Sequence, residues 1–308
     1  MNIEAKHWIF FNIFIVAMLA LDLAVFHRKT HVVSIRESLL FTAGWVLLSL
    51  LFCLFIYYSA GRDTALEFLA AYVIEKSLSF DNIFVFILIF SFFNVPAAYQ
   101  HKVLFWGIAG ALAMRILFIF AGIAMIRRFH WVTYIFAMFL VITAIRMIIR
   151  MPKKIEPDRN VVVRMFKKYV PMVAEYRDDR FFVKEGGRLM ATPLMIVLLV
   201  IEMSDIIFAV DSIPAILAVS NDLFIVYSSN VFAIMGLRSL FFALSGLYRH
   251  FRFLKYALSL ILLFVGAKLA LTDIYKIPVF AALLVIVAIL VINIVLSVIF
   301  PRKTTPGQ

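Results

Sequence analysis

Five carboxylates stand where a carboxylate is costly. Glu75, Asp81, Glu202, Asp205 and Asp211 each lie deep inside long apolar stretches, and so do three bases, Lys76, Arg115 and Arg238. An ionisable side chain at this depth in a bilayer persists where it is paired or does work. Five acids against three bases leave two negative charges, which one divalent cation or two protons would neutralise. The polar residues nearby are Ser77, Ser79, Asn82, Ser204 and Ser212, with neither Cys nor His among them. Cys53 stands alone, and His7, His27, His31, His101, His130 and His250 fall at the ends of apolar stretches or between them. Oxygen-only ligands suit Mg²⁺, Mn²⁺ or Ca²⁺ and disfavour zinc and copper. On a helix Glu75, Ser79 and Asn82 share one face, as do Glu202, Asp205 and Ser212. Asp81 and Asp211 join those faces only if the helices unwind locally. The candidate metal ligands are therefore Glu75, Asp81, Asn82, Glu202, Asp205 and Asp211, supported by Ser79, Ser212, Lys76, Arg115 and Arg238.

The elements that carry these residues follow from composition. The chain has 308 residues, of which 65% are hydrophobic and 16% charged, and its mean hydropathy is +1.03. No soluble domain of this size hides that much apolar side chain. Disordered, collagen-like and disulfide-scaffold classes are excluded as well. Apolar runs of about twenty residues also exclude a β-barrel, whose strands alternate over about ten. The expected fold is all-α and polytopic, a single membrane domain over 1–308. About nine spans are expected near 8–26, 38–59, 64–93, 101–126, 131–150, 191–220, 223–248, 252–272 and 278–299. Residues 8–26 read as a retained span, not a cleaved leader.

Lys and Arg are distributed unevenly. With the N-terminus outside, inner segments carry 20 of them and outer segments 5, which predicts N-out, C-in topology. This bias accounts for the net charge of +12 without a nucleic-acid partner. Eleven of the basic residues fall at 150–188, so the 151–190 loop is expected in the cytoplasm, near anionic lipid. Phe181-Phe182-Val183 followed by Gly186-Gly187 predicts a small hairpin there.

The spans also repeat. Asp81 aligns with Asp205 at an offset of 124, Arg115 with Arg238 at 123, and Tyr134 with Tyr256 and Arg146 with Lys268 at 122. Spans three to five (64–150) thus recur as spans six to eight (191–272), with 8–59 and 278–299 peripheral. Three is odd, so the copies cross in opposite senses, the inverted-repeat architecture of secondary transporters. The lead spans of both copies run to about 30 residues, roughly 45 Å of helix against a hydrocarbon core of about 30 Å. Tilt would accommodate that, and so would a break, expected near Pro214 and by symmetry in span three.

The stretches Glu75-Lys76-Ser77-Leu78-Ser79-Phe80-Asp81-Asn82-Ile83-Phe84 and Glu202-Met203-Ser204-Asp205-Ile206-Ile207-Phe208-Ala209-Val210-Asp211-Ser212-Ile213-Pro214-Ala215 resemble the TerC family of integral membrane proteins. Ser229-Asn230-Val231-Phe232-Ala233 and Gly236-Leu237-Arg238-Ser239-Leu240 extend the resemblance, which runs over about 60–275. Within the family the sequence is most similar to the Alx type, associated with manganese export. The resemblance implies a multi-pass protein of the bacterial cytoplasmic (inner) membrane that exports Mn²⁺, with acidic residues at positions 75, 81, 202, 205 and 211. No Walker loop, nucleophile elbow or metalloprotease motif occurs, so no enzyme is expected and any driving force would be an ion gradient, with protons as one candidate. The competing expectation is a non-transporting membrane scaffold that hands metal to exported proteins or organises a stress-resistance complex.

Overall fold

Where a chain is apolar on every side, its backbone must satisfy its own hydrogen bonds, and a helix does so within one segment. In the computed structural model, which describes residues 5–26, 35–149, 161–245 and 253–299, every long apolar stretch is helical. The helices are α1 (Ala5–Phe26), α2 (Ile35–Ala60), α3 (Arg62–Phe92), α4 (Ala97–Arg128), α5 (Val132–Ile149) and α6 (Val161–Tyr169). They continue with α7 (Pro193–Leu217), α8 (Leu223–Met235), α9 (Leu237–Ser245), α10 (Leu254–Ala270) and α11 (Val279–Ile299). Among the described residues, six helical stretches are long and apolar enough to cross a membrane: Arg36–Ala60, Ala97–Arg128, Val132–Ile149, Pro193–Leu217, Leu223–Ser245 and Val279–Ser297. Two shorter apolar helices run over Trp8–Met18 and Tyr256–Ala270. The 31-residue α3 is long enough, but it carries six charged residues.

Local chemistry sets the boundaries. Gly61 links α2 to α3 at φ 92°, a conformation glycine adopts without penalty. Pro193 opens α7 at a position where its missing N–H costs nothing. The Asp222 side chain caps α8 by accepting from the amides of Phe224 and Ile225. In the basic loop, β1 (Phe182–Glu185) pairs antiparallel with β2 (Arg188–Ala191). Gly186 and Gly187 turn the hairpin at φ 57° and 77°, as a tight two-residue turn requires. The expected hairpin is present, preceded by a short helix, α6, that the sequence reading lacked.

The expected breaks lie elsewhere. The α3 helix is continuous, and α7 runs through Pro214 to Leu217. Pro214 sits in the last turn, where its ring removes a single helical bond and the helix is about to end. The interruption falls instead in the following stretch, at Gly236 between α8 and α9.

The core is arranged around that interrupted helix. Almost every side chain from Phe224 to Leu244 is buried. The α3 helix packs on α7, α8 and α2, α4 packs on α7 and α8, and α5 lies along α10. Leu54, Phe55, Leu117, Ile148, Val291 and Ile292 are exposed on outward faces of the helices. Such faces are at home against lipid tails.

Candidate functional site

The ionisable chemistry assembles where α3, α4 and α7 meet. Glu75 on α3 is fully buried, and Arg115 on α4 and Asp205 on α7 are 2% and 3% exposed. The Arg115 guanidinium lies between the two acids. Its Nη1 forms an ion pair with Glu75 Oε1, and its Nη2 stands 3.6 Å from Asp205 Oδ1. Nη1 also donates to Ser212 Oγ at 3.1 Å. Asn82, two turns after Glu75 on α3, donates its amide to Asp205 Oδ1 at 3.3 Å. The face expected to carry Glu75 and Asn82 and the face expected to carry Asp205 and Ser212 therefore meet across Arg115.

Not all the acceptors here are satisfied. Among the described residues, Glu75 Oε2 and Asp205 Oδ2 accept no hydrogen bond, and the Glu75 Oε1 contact with Arg115 is ionic without hydrogen-bond geometry. Buried acceptors are nearly always bonded, so these unsatisfied carboxylate oxygens are exceptional.

The remaining candidates face other partners. Glu202, one turn before Asp205, lies against Gly110 of α4, where a Cβ would collide with its carboxylate. Gly107, one turn earlier, lets Ile201 approach in the same way, at 3.1 Å from where a Cβ would stand. The Gly107–Gly110 spacing is thus a close helix crossing of the kind small residues permit. Asp211 accepts from Thr143 of α5 at 3.2 Å, on another side of α7. Ser79 donates to the carbonyl of Glu75. Lys76 points away from the centre and donates to the Ala233 carbonyl of α8 at 3.1 Å. Arg238 is buried in α9. Asp81 lies within α3, and its side chain is outside the described residues. Among those described, no three His, Cys, Asp or Glu side chains cluster closely enough to hold a metal ion.

Several contacts of this region escaped the sequence reading. Thr143 gave no signal, because a threonine in an apolar helix ordinarily bonds its own backbone. Gly110 gave no sign that it would seat Glu202. Gly236 and the Ala233 carbonyl, which receive Lys76, lie in a stretch that holds no proline to announce the interruption.

The chain has relatives among known proteins. The model for the integral membrane protein TerC family matches residues 60–305, a region that includes all eleven candidate residues. An uncharacterized membrane protein of Myxococcus xanthus, STKORF319, is 49% identical over 295 residues, covering 96% of this chain and 92% of its own. A membrane protein of Rickettsia bellii is 42% identical, covering 95% and 97%. A Salmonella typhi protein named "Putative membrane-bound redox modulator Alx" is also 42% identical, covering 94% and 93%. No solved structure matches the chain. With the expected resemblance matched in both family and Alx relatives, this chain belongs to the TerC family of integral membrane proteins.

Proposed function

We propose that the protein is a secondary transporter that exports a hard divalent cation, with Mn²⁺ as its substrate, through the centre formed by Glu75 and Asp205. The observation that carries the reading is the pair of buried carboxylates whose outer oxygens accept no hydrogen bond. With the Asn82 amide oxygen and the Ser212 hydroxyl close by, the donors are all oxygen, a set that Mn²⁺ accepts and that Mg²⁺ and Ca²⁺ share. Glu202 and Asp211, on α7, are the further acids we assign to the ion's path, with Asp81 of α3 as a third by sequence.

The architecture we propose is nine spans, α8 and α9 counting as one, oriented N-out and C-in in the bacterial inner membrane. Within it α3–α5 and α7–α10 are inverted copies. What supports the repeat is the reciprocity of the packing: α3 lies on α8 as α4 lies on α7, and the counterparts α3 and α7, like α5 and α10, lie against each other. A site between such copies can face either side while its ligands stay in place.

The name of the Salmonella relative raises a redox role. This chain has one cysteine, Cys53, so no intrachain dithiol pair can form. An effect on redox balance would then follow from metal content. No feature calls for catalysis in the transport reading.

The test is Mn²⁺ movement in proteoliposomes containing the purified full chain. We expect gradient-driven ⁵⁴Mn²⁺ flux that Asp205→Asn reduces at least tenfold at equal incorporation. Flux that is absent from the wild type, or undiminished in the variant, overturns the assignment.

A further inference from the structure

The guanidinium of Arg115 occupies the space between Glu75 and Asp205. Resting on the reading of those two acids as metal ligands, we propose that Arg115 is a tethered stand-in for the transported ion, which Mn²⁺ must displace in order to bind.

The charges are the first argument. The two carboxylates carry −2 and Arg115 returns +1, so the centre holds one uncompensated negative charge among its described side chains. A divalent ion alone would neutralise the pair. A divalent ion beside Arg115 would leave an excess positive charge, with two cations about 4 Å apart where little water screens them. The ion and the guanidinium therefore compete for the same oxygens.

The way Arg115 is held is the second argument. A guanidinium cannot shed its proton to make way, so it must move. Arg115 is anchored by ionic contacts and a single hydroxyl acceptor, Ser212, while its Nε, though buried, makes no hydrogen bond. Only one of its five donors is committed to a neutral partner. A further carboxylate stands next along α7. Glu202 lies one turn before Asp205. It rests against Gly110 of α4, the helix that carries Arg115. Glu202 supplies the counter-charge for the displaced guanidinium, so Arg115 passes from one carboxylate site to another without entering the apolar core unpaired.

The consequence is specific to transport. When the ion leaves, Arg115 returns and covers the carboxylates, so the empty protein can reorient without carrying two bare charges through the membrane. No second ion has to fill this centre on the return.

The experiment uses the full-length protein in lipid nanodiscs with Mn²⁺ alone, its binding followed by the paramagnetic signal of the free ion. Arg115→Met should bind Mn²⁺ at least tenfold more tightly than the wild type. Free guanidinium should compete with Mn²⁺ in that variant and not in the wild type. Arg115→Lys keeps the charge, but its single ammonium cannot bridge both acids, so its affinity should fall between the two. If Arg115→Met does not fold, Arg115→Lys alone decides. Affinity equal to or weaker than wild type in whichever variant folds overturns the proposal while leaving the metal site standing. If the wild type and the variants all bind no more Mn²⁺ than a Glu75→Gln, Asp205→Asn control, the metal reading itself fails.

Discussion

Glu75 and Lys76 are neighbours on α3, turned roughly 100° apart by the helix, and each meets an opposite charge or dipole of a different kind. On one side a carboxylate faces the Arg115 guanidinium, which is shared with Asp205 on a third helix. On the other side an ammonium rests on the Ala233 carbonyl, in the last turn of α8. Carbonyls in a last turn lack partners within their own helix, and the C-terminal end carries the negative pole of the helix dipole. The first arrangement sets whole charges against each other and leaves acceptors over. The second sets a whole charge against partial ones, and among the described residues no carboxylate touches it. In the transport reading it is the first arrangement that exchanges its cation. The second ties α3 to the interruption at Gly236, and its geometry is tight: a Cβ on Gly236 would stand 2.8 Å from Lys76 Nζ and 3.2 Å from Trp45 Cβ.

The largest expected effect breaks the first arrangement. Glu75→Gln would leave Arg115 buried with Asp205 alone, and stripping one member from a buried charged cluster costs about 3–5 kcal/mol. Denaturation in detergent micelles should show a loss of that size. The double variant Glu75→Gln, Arg115→Met, which removes the pair as a unit, should recover most of it. A single variant as stable as the wild type would mean that the ion pair contributes nothing to the fold.

The second arrangement should respond less. Gly236→Ala forces Nζ or the Trp45 side chain to shift, and overpacking of this kind costs about 1–3 kcal/mol. Because Nζ is the far end of a flexible side chain, the lower part of that range is expected. In a double-mutant cycle with Lys76→Ala the two changes should couple by about 0.5 kcal/mol or more, since they share a contact. Gly236→Ala and Glu75→Gln share none, and their costs should add to within about 0.5 kcal/mol. Strong coupling between that pair would show that α3 transmits strain from the carboxylate centre to the break, which would make the two sides one device.

These two regions also differ in how far the sequence revealed them. The carboxylate centre was legible because a buried charge is conspicuous in an apolar helix, and i, i+4 and i+7 spacing assigns it to a face. That logic brought Glu75, Asn82, Asp205 and Ser212 to one place. It said nothing about Asp211 meeting Thr143, because which helix covers a given face is decided by packing between distant segments. Length and hydropathy placed the ends of α3, α5, α7 and α11 within about three residues, yet they misplaced the break. Proline is the loudest helix breaker in a sequence, but Pro214 falls where α7 is ending anyway. Gly236 sits in the middle of a buried helix and lacks the side chain that would have announced it. The ammonium of Lys76 and the side chain of Trp45, arriving from α3 and α2, give its absence of a Cβ a purpose. The hairpin was readable for the opposite reason: two consecutive glycines at positive φ satisfy a purely local demand.

A third ionic contact, exposed to water, calibrates the buried two and should show the smallest effect. Asp273, in the connection between α10 and α11, accepts from the Tyr134 hydroxyl at 2.5 Å and contacts His130 Nε2 at 2.8 Å. It thereby ties that connection to the start of α5. The Tyr134 and His130 hydrogen bonds hold its carboxyl below the usual aspartate range. A carboxylate whose folded pKa is depressed adds stability above its unfolded pKa, about 3.9, and loses it as pH falls through the lower folded value. The contribution of Asp273 should therefore be complete at pH 6 and should fade below about pH 4. Both partners are largely exposed, so solvent and salt screen the contact and its contribution is small. Asp273→Asn should lower the melting temperature slightly at pH 6 in low salt. The gap to the wild type should narrow toward pH 3 and also when salt is raised at pH 6. A gap that persisted unchanged at pH 3 would show that the asparagine disturbs packing and not charge. The salt response separates this tie from the Arg115 centre, where the ions lie beyond the reach of screening and the cost of Glu75→Gln should not change with ionic strength.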